Sequence, residues 1–253
     1  MRSLIIIFII TAIVSLSFYF IGYHPQYNIP NILSAGIVTF LVIIFIQKPT
    51  DSIRHIDKKY LFILLSLVCW LTAEFLYGYY DGFLRIDAYP SFADWFYLTG
   101  YIFFILYLYL LNKSYKIEIG FIISTLVTFS LFVIYVLYVS IYIFEIYTFS
   151  NDVIDLVLLF SYPVLDAFII LVAIAYYIRG RSISISKGHN YWILIASFGL
   201  LSFIADFIFG FNDLLKIIDT TRSLDLLYNV AYIILGIGII IKIRYATRLR
   251  RII

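Results

Sequence analysis

Reactive side chains and charge are both scarce in this chain, and each shortage excludes a class of function. The single cysteine, Cys69, rules out an intrachain disulfide, and its place inside an apolar run leaves it alone as a metal ligand. Only three histidines occur, His24, His55 and His189, all in stretches between apolar runs. They offer neither the H-x-x-H or H-E-x-x-H spacing of a metal site nor an intramembrane pair for haem. No G-x-S-x-G, P-loop or dinucleotide fingerprint is present. No cofactor is implied, and an enzyme is not expected. Charged residues amount to 13% of the 253 positions, too few to solvate a folded surface in water.

Apolar residues fill the gap, at 64% of the chain with a mean hydropathy of +1.02. That composition describes a membrane protein embedded in a lipid bilayer. Eight apolar segments can be traced, at residues 4–22, 32–46, 60–79, 93–111, 120–144, 156–178, 191–211 and 225–243. Most are long enough to cross about 30 Å of hydrocarbon at 1.5 Å per residue. The first exceeds a signal peptide's apolar core and lacks an A-x-A cleavage site, so it reads as an uncleaved span. The second is short unless it starts at Ile29, with Pro30 in its first turn, where proline is tolerated.

The basic residues set the topology. Arg2, Lys48, Arg54, Lys58, Lys59, Lys113, Lys116, Arg179, Arg181, Lys187, Lys242, Arg244, Arg248, Arg250 and Arg251 fall on one side of an eight-span arrangement, and only Arg85, Lys216 and Arg222 on the other. The expectation is therefore a cell-membrane protein with cytoplasmic N- and C-termini. In that setting a pI near 8.7 reports orientation, and nucleic acid is not an expected partner. The tail from Lys242 through Arg244, Arg248, Arg250 and Arg251 is a juxtamembrane basic run suited to anionic lipid as well as to ordinary anchoring.

A motif occurs twice. A-E-F-L-Y-G-Y-Y-D, from Ala73 to Asp81, is matched by A-D-F-I-F-G-F-N-D, from Ala205 to Asp213. Asp94, Tyr97 and Tyr101 are matched in spacing by Asp225, Tyr228 and Tyr232, three side chains on one helical face. Pro30 and Pro163 extend the correspondence. The expected fold is all-α: eight transmembrane helices as two parallel four-helix repeats, residues 1–118 and 119–253, without room for a soluble domain.

Five acids lie in or at the ends of spans: Glu74, Asp94, Asp166, Asp206 and Asp225. At a span's centre each costs about 2.5 to 3.5 kcal/mol on insertion scales and must face protein or water. Ser91 and Asp94 form a capping box after Pro90, which by itself accounts for Asp94, and Asp225 sits near the start of the last span, where the helix dipole welcomes an anion. Tyr97, Tyr101, Tyr228 and Tyr232 are read either as interfacial-belt aromatics or as ligand contacts. Glu74 and Asp206 lie near C-terminal helix ends, where an anion is disfavoured, so each needs a proton, a cation or a donor. As repeat mates they are expected to face each other as a dyad. Asp166 follows Pro163, whose missing N–H opens a local polar site, and is expected to meet freed backbone, a tyrosine hydroxyl or a ligand.

The segments W-L-T-A-E-F-L-Y-G-Y-Y and Y-P-S-F-A-D-W-F-Y-L-T-G-Y, with S-Y-P-V-L-D at Ser161 to Asp166, carry Pro90, Ser91, Asp94, Tyr97, Tyr101, Tyr162, Pro163 and Asp166. They resemble the multi-span sensory module found ahead of diguanylate cyclase, phosphodiesterase and histidine kinase domains. The resemblance implies a signal-receiving membrane domain; no output domain follows the last span here, so a separate cytoplasmic or membrane partner is expected to read it. Three functions are weighed: a sensory or ligand-binding module with an outward acidic and aromatic pocket, a cation- or proton-coupled transporter, and a scaffold subunit whose acids meet a partner's Arg or Lys. The cytoplasmic halves of the spans carry almost nothing polar, whereas a transporter needs a polar path on both sides of its site. The first function is favoured.

Overall fold

The computed structural model describes residues 9, 11, 13, 14, 17, 28–47, 58–115, 118–144, 153–182, 191–215 and 221–250. Among them there are seven α-helices and no strand: α1 Ile29–Gln47, α2 Lys58–Gly78, α3 Phe92–Tyr115, α4 Ile119–Phe144, α5 Val153–Ser182, α6 Tyr191–Leu215 and α7 Thr221–Arg250. Six of them, α1, α2, α3, α5, α6 and α7, carry candidate membrane-spanning windows with mean hydropathies of 1.4 to 2.4. Large apolar side chains such as Phe40, Phe75, Trp95, Ile102 and Tyr109 stand exposed on the outside of these helices. In water such a surface would drive aggregation, but in lipid it is the solvated face. The chain has the architecture of a multi-pass membrane protein.

Most of the expected spans coincide with these helices. The helix at the second span does begin at Ile29, with Pro30 in its first turn, and Asn28 closes that turn by accepting Ile32 N–H at 3.1 Å. The stretch expected as the fifth span forms α4. The first span, 4–22, lies almost wholly outside the described residues, as do His24, His55, His189 and Arg251. One expectation changes. Since α7 starts at Thr221, Asp225 lies beyond its first turn and the helix-terminus explanation for that acid does not apply.

Six helices close a ring in the order α1, α2, α3, α5, α6, α7, with α7 returning to α1. Helix α4 packs outside this ring against α5, and its Phe129 meets Phe203 of α6 at a ring separation of 5.8 Å. The ring's centre is Trp70 on α2. Its indole touches Tyr101 and Phe104 of α3, Phe198 of α6 and Tyr232 of α7, with centroids 5.3 to 6.4 Å apart. Its Nε1–H donates to the Tyr97 carbonyl at 3.1 Å.

On one side of Trp70 the ring is closed by buried apolar and aromatic residues, among them Ile63, Tyr107, Leu108, Ile169, Val172, Tyr176, Trp192, Ile195, Leu235 and Ile239. This end carries Lys242 and Arg244. Lys242 Nζ donates to the Tyr191 hydroxyl and lies 4.4 Å from that ring's centroid, while the Arg244 guanidinium stacks 4.7 Å from Phe45. Both cations thus contact protein, unlike freely solvated anchoring residues. On the other side of Trp70 the ring opens into a polar cavity.

Candidate functional site: an acidic and aromatic cavity

The cavity measures about 140 Å³ and is partly open. It is lined by five carboxyl groups, Glu74, Asp81, Asp94, Asp206 and Asp225, and by tyrosines from α2, α3, α5 and α7 around the Trp70 indole. Among the described residues that line it there is no Lys, Arg or His. Tyr89 and Phe209 meet edge to face at 5.2 Å along its wall.

Local sequence explains how each acid is presented. The chain leaves α2 through a π-helical turn, Tyr79–Leu84, which carries Asp81 and ends at Arg85 in a left-handed conformation with φ of 54°. It then crosses the mouth to a cis Tyr89–Pro90 bond and enters α3. There the capping box forms as expected: Ser91 N–H donates to Asp94 Oδ2 at 2.7 Å, and Ala93 N–H to Ser91 Oγ at 3.1 Å. The other oxygen of Asp94 is not idle, because it accepts the Tyr162 hydroxyl of α5 at 2.6 Å. Capping and cross-ring bonding are both roles of this one carboxyl.

Glu74, 3% exposed, is gripped from two helices and the segment before α1. The Tyr232 hydroxyl donates to its Oε1 at 2.6 Å and Asn28 Nδ2 to its Oε2 at 2.5 Å, with Tyr97 also in hydrogen-bonding reach. Asn28 further donates to the Glu74 carbonyl at 3.3 Å, tying backbone and side chain of the same residue to the segment before α1. Asp225 accepts Asn31 Nδ2 at 3.2 Å, and Asn229 Nδ2 bridges the Asn31 side chain and the Asp225 carbonyl, both at 2.7 Å.

The last two acids meet directly. Asp166, 0% exposed, accepts the Tyr101 hydroxyl on Oδ1 at 2.7 Å, while its Oδ2 finds no donor. Its carboxyl is in hydrogen-bonding contact with that of Asp206, which in turn accepts the Tyr228 hydroxyl at 2.5 Å. Two ionised carboxylates within hydrogen-bonding reach in a buried site would repel each other strongly, so the arrangement favours a proton or cation between them. The Glu74–Asp206 dyad expected from the repeat is not the contact formed. Both line the same cavity and feel each other's charge, but the partner that Asp206 touches is Asp166.

Of the nine residues singled out in the sequence, eight line this cavity: Glu74, Asp94, Tyr97, Tyr101, Asp206, Asp225, Tyr228 and Tyr232. Asp166 lies behind it, reached through Asp206. Sequence reasoning missed Asn28, Asn31 and Asn229 as polar partners of the acids, and Trp70 as the floor. The available signal was two asparagines flanking Pro30 at the start of an apolar run and one inside the last span. Among the described residues no group of three or more His, Cys, Asp or Glu is placed to hold a metal ion. Comparison with protein-family models, curated proteins and solved structures finds no match for the chain.

Proposed function

We propose that this chain is a membrane ligand-binding module of sensory type, which takes a small organic cation into the acidic and aromatic cavity and passes the occupied state to a separate partner protein. The observation that carries this reading is a lining of five carboxyl groups and several aromatic rings, with no basic side chain among the described residues. Ring faces and carboxylates together are the chemistry that holds ammonium groups. The volume is close to the roughly 150 Å³ known to accept benzene, so an alkylammonium or small aromatic amine is the fitting size.

The eight-span organisation belongs to the same proposal. Exchanging α1, α2 and α3 with α5, α6 and α7 maps every helix pairing of the ring onto another pairing of the ring, as two parallel repeats require. Tyr97 near Glu74 and Tyr228 on Asp206 obey the same exchange. In this arrangement residues 4–22 are the sequence counterpart of α4. The distribution of Lys and Arg supports a topology with both termini in the cytoplasm and the cavity on the outer face.

Transport is the second reading, and the packing beyond Trp70 speaks against it. Among the described residues Phe104, Tyr107, Leu108, Ile169, Tyr176 and Trp192 pack this side mainly with apolar and aromatic groups, where a transporter needs a polar route. The test uses the protein in lipid nanodiscs, titrated with tetramethylammonium and with its uncharged tert-butyl analogue by tryptophan fluorescence and calorimetry. Wild type is expected to bind the cation and not the analogue. Glu74→Gln is expected to weaken the cation about 10- to 100-fold, since one charge a few Å away is worth about 2 to 4 kcal/mol at intermediate dielectric before solvent screening. Equal binding of both compounds, or of neither, refutes the proposal. Accumulation of the cation in sealed vesicles would move the assignment to transport.

A further inference from the structure

The cation cavity has a second chemical group directly behind it, and nothing in cation binding itself explains why that group is there. Asp166 is fully buried below Pro163 on α5, one of its oxygens lacks any donor, and its carboxyl contacts Asp206, whose other partner is a tyrosine hydroxyl. We propose that Asp166 and Asp206 hold a single shared proton when the cavity is empty and release it to solvent when a cation enters, so that ligand binding and proton release are linked. The proposal rests on the cation-binding reading above and adds what the site exchanges for its ligand.

The geometry supplies each requirement. Asp206 belongs to both systems, since it lines the cavity and touches Asp166. A cation beside Asp206 offsets the second negative charge of the pair, and the proton departs through the cavity that Asp206 faces. The exchange is balanced: one proton leaves as one positive charge arrives, so the buried site keeps the same net charge. The groups that face the pair are Glu74 on α2, Tyr101 on α3, Tyr162 on α5, and Tyr228 and Tyr232 on α7. All are acids or phenols. Helices α1 and α4 contain no Asp, Glu, Lys, Arg or His. Among the described residues no neighbouring base competes for the proton.

Linkage fixes the sign. If binding releases a proton, affinity must rise with pH, approaching tenfold per unit for one proton per cation. The experiment adds tetramethylammonium to the nanodisc protein in weakly buffered solution containing a pH indicator, and repeats the binding titration across pH. Wild type is expected to release close to one proton per cation bound. Asp166→Asn imitates the protonated acid: its oxygen still accepts from Tyr101 and its amide donates to Asp206, without a proton to lose. This variant is expected to bind the cation with no proton release and with the steep pH dependence gone. A protonated-carboxyl infrared band that disappears on cation addition in wild type, and not in Asp166→Asn, reads the same proton without relying on the indicator. Cation binding without proton release, or release that survives in Asp166→Asn, overturns the linkage alone. Absence of cation binding in wild type overturns the cavity reading and the linkage with it.

Discussion

Gly100 of α3 faces the edge of the Trp70 indole, and the effect of adding one methyl group there can be worked from distances. A Cβ built on Gly100 would lie 2.4 Å from both Cδ1 and Nε1 of Trp70 and 3.1 Å from Cε2. Ordinary carbon contacts begin near 3.4 Å, so the ring or the helix must give by about 1 Å. The ring has nowhere to go, being held among Tyr101, Phe104, Phe198 and Tyr232 with its N–H bonded to the Tyr97 carbonyl. Overpacking of this kind costs about 1 to 3 kcal/mol. Loss of a buried hydrogen bond adds about 1 to 3 kcal/mol, giving an expected penalty for Gly100→Ala of about 2 to 6 kcal/mol. The natural control is Gly120→Ala at the start of α4, where the added carbon meets nothing within 4 Å and the change is expected to be neutral or slightly stabilising. Thermal unfolding in nanodiscs, followed by fluorescence, compares the two. Trp70→Phe should restore part of the stability of Gly100→Ala, because the two sites share one contact. If Gly100→Ala melts with Gly120→Ala, or Trp70→Phe gives no rescue, the account of Trp70 as the wedged centre of the ring is wrong.

Two further outcomes follow from the hydrogen-bond geometry. Asp94→Ala removes both the return bond to Ser91 N–H and the acceptor of the Tyr162 hydroxyl, and is expected to cost about 2 kcal/mol in reversible unfolding; Ser91→Ala, which loses only the cap, should cost about 1 kcal/mol, and equal losses would refute the cross-ring role. Tyr101→Phe strips the phenolic donor from Asp166 and is expected to destabilise by about 1 to 2 kcal/mol, while Tyr109→Phe, on the exposed face of the same helix, should change the melting temperature little.

The residues that meet in the cavity are legible in the amino-acid sequence. Intramembrane acids are expensive, so Glu74, Asp94, Asp166, Asp206 and Asp225 announce themselves in an apolar chain, and i, i+3, i+7 spacing puts the tyrosines on one face with them. Helix positions are legible for the same reason, since a bilayer forces each apolar run to satisfy its own backbone. The partners are not. Asn28 and Asn31 meet Glu74 and Asp225 across sequence separations of 46 and 194 residues, distances over which periodicity carries no information.

The acid pairing shows where the boundary falls. Repeat spacing selects Glu74 and Asp206 as counterparts, and the ring brings both to one cavity, but counterparts need not touch. The side chain lying against Asp206 is decided by how α5 and α6 pack, and Gly199 bears on this: a Cβ there would stand 3.2 Å from the Asp166 carbonyl. Sequence by itself determined that this chain is helical, suited to a bilayer and marked by acids it cannot leave in lipid. Only tertiary structure decided which acid faces which, because hydrophobic pattern fixes the buried face of a helix while the neighbour that meets that face depends on how all the helices close together.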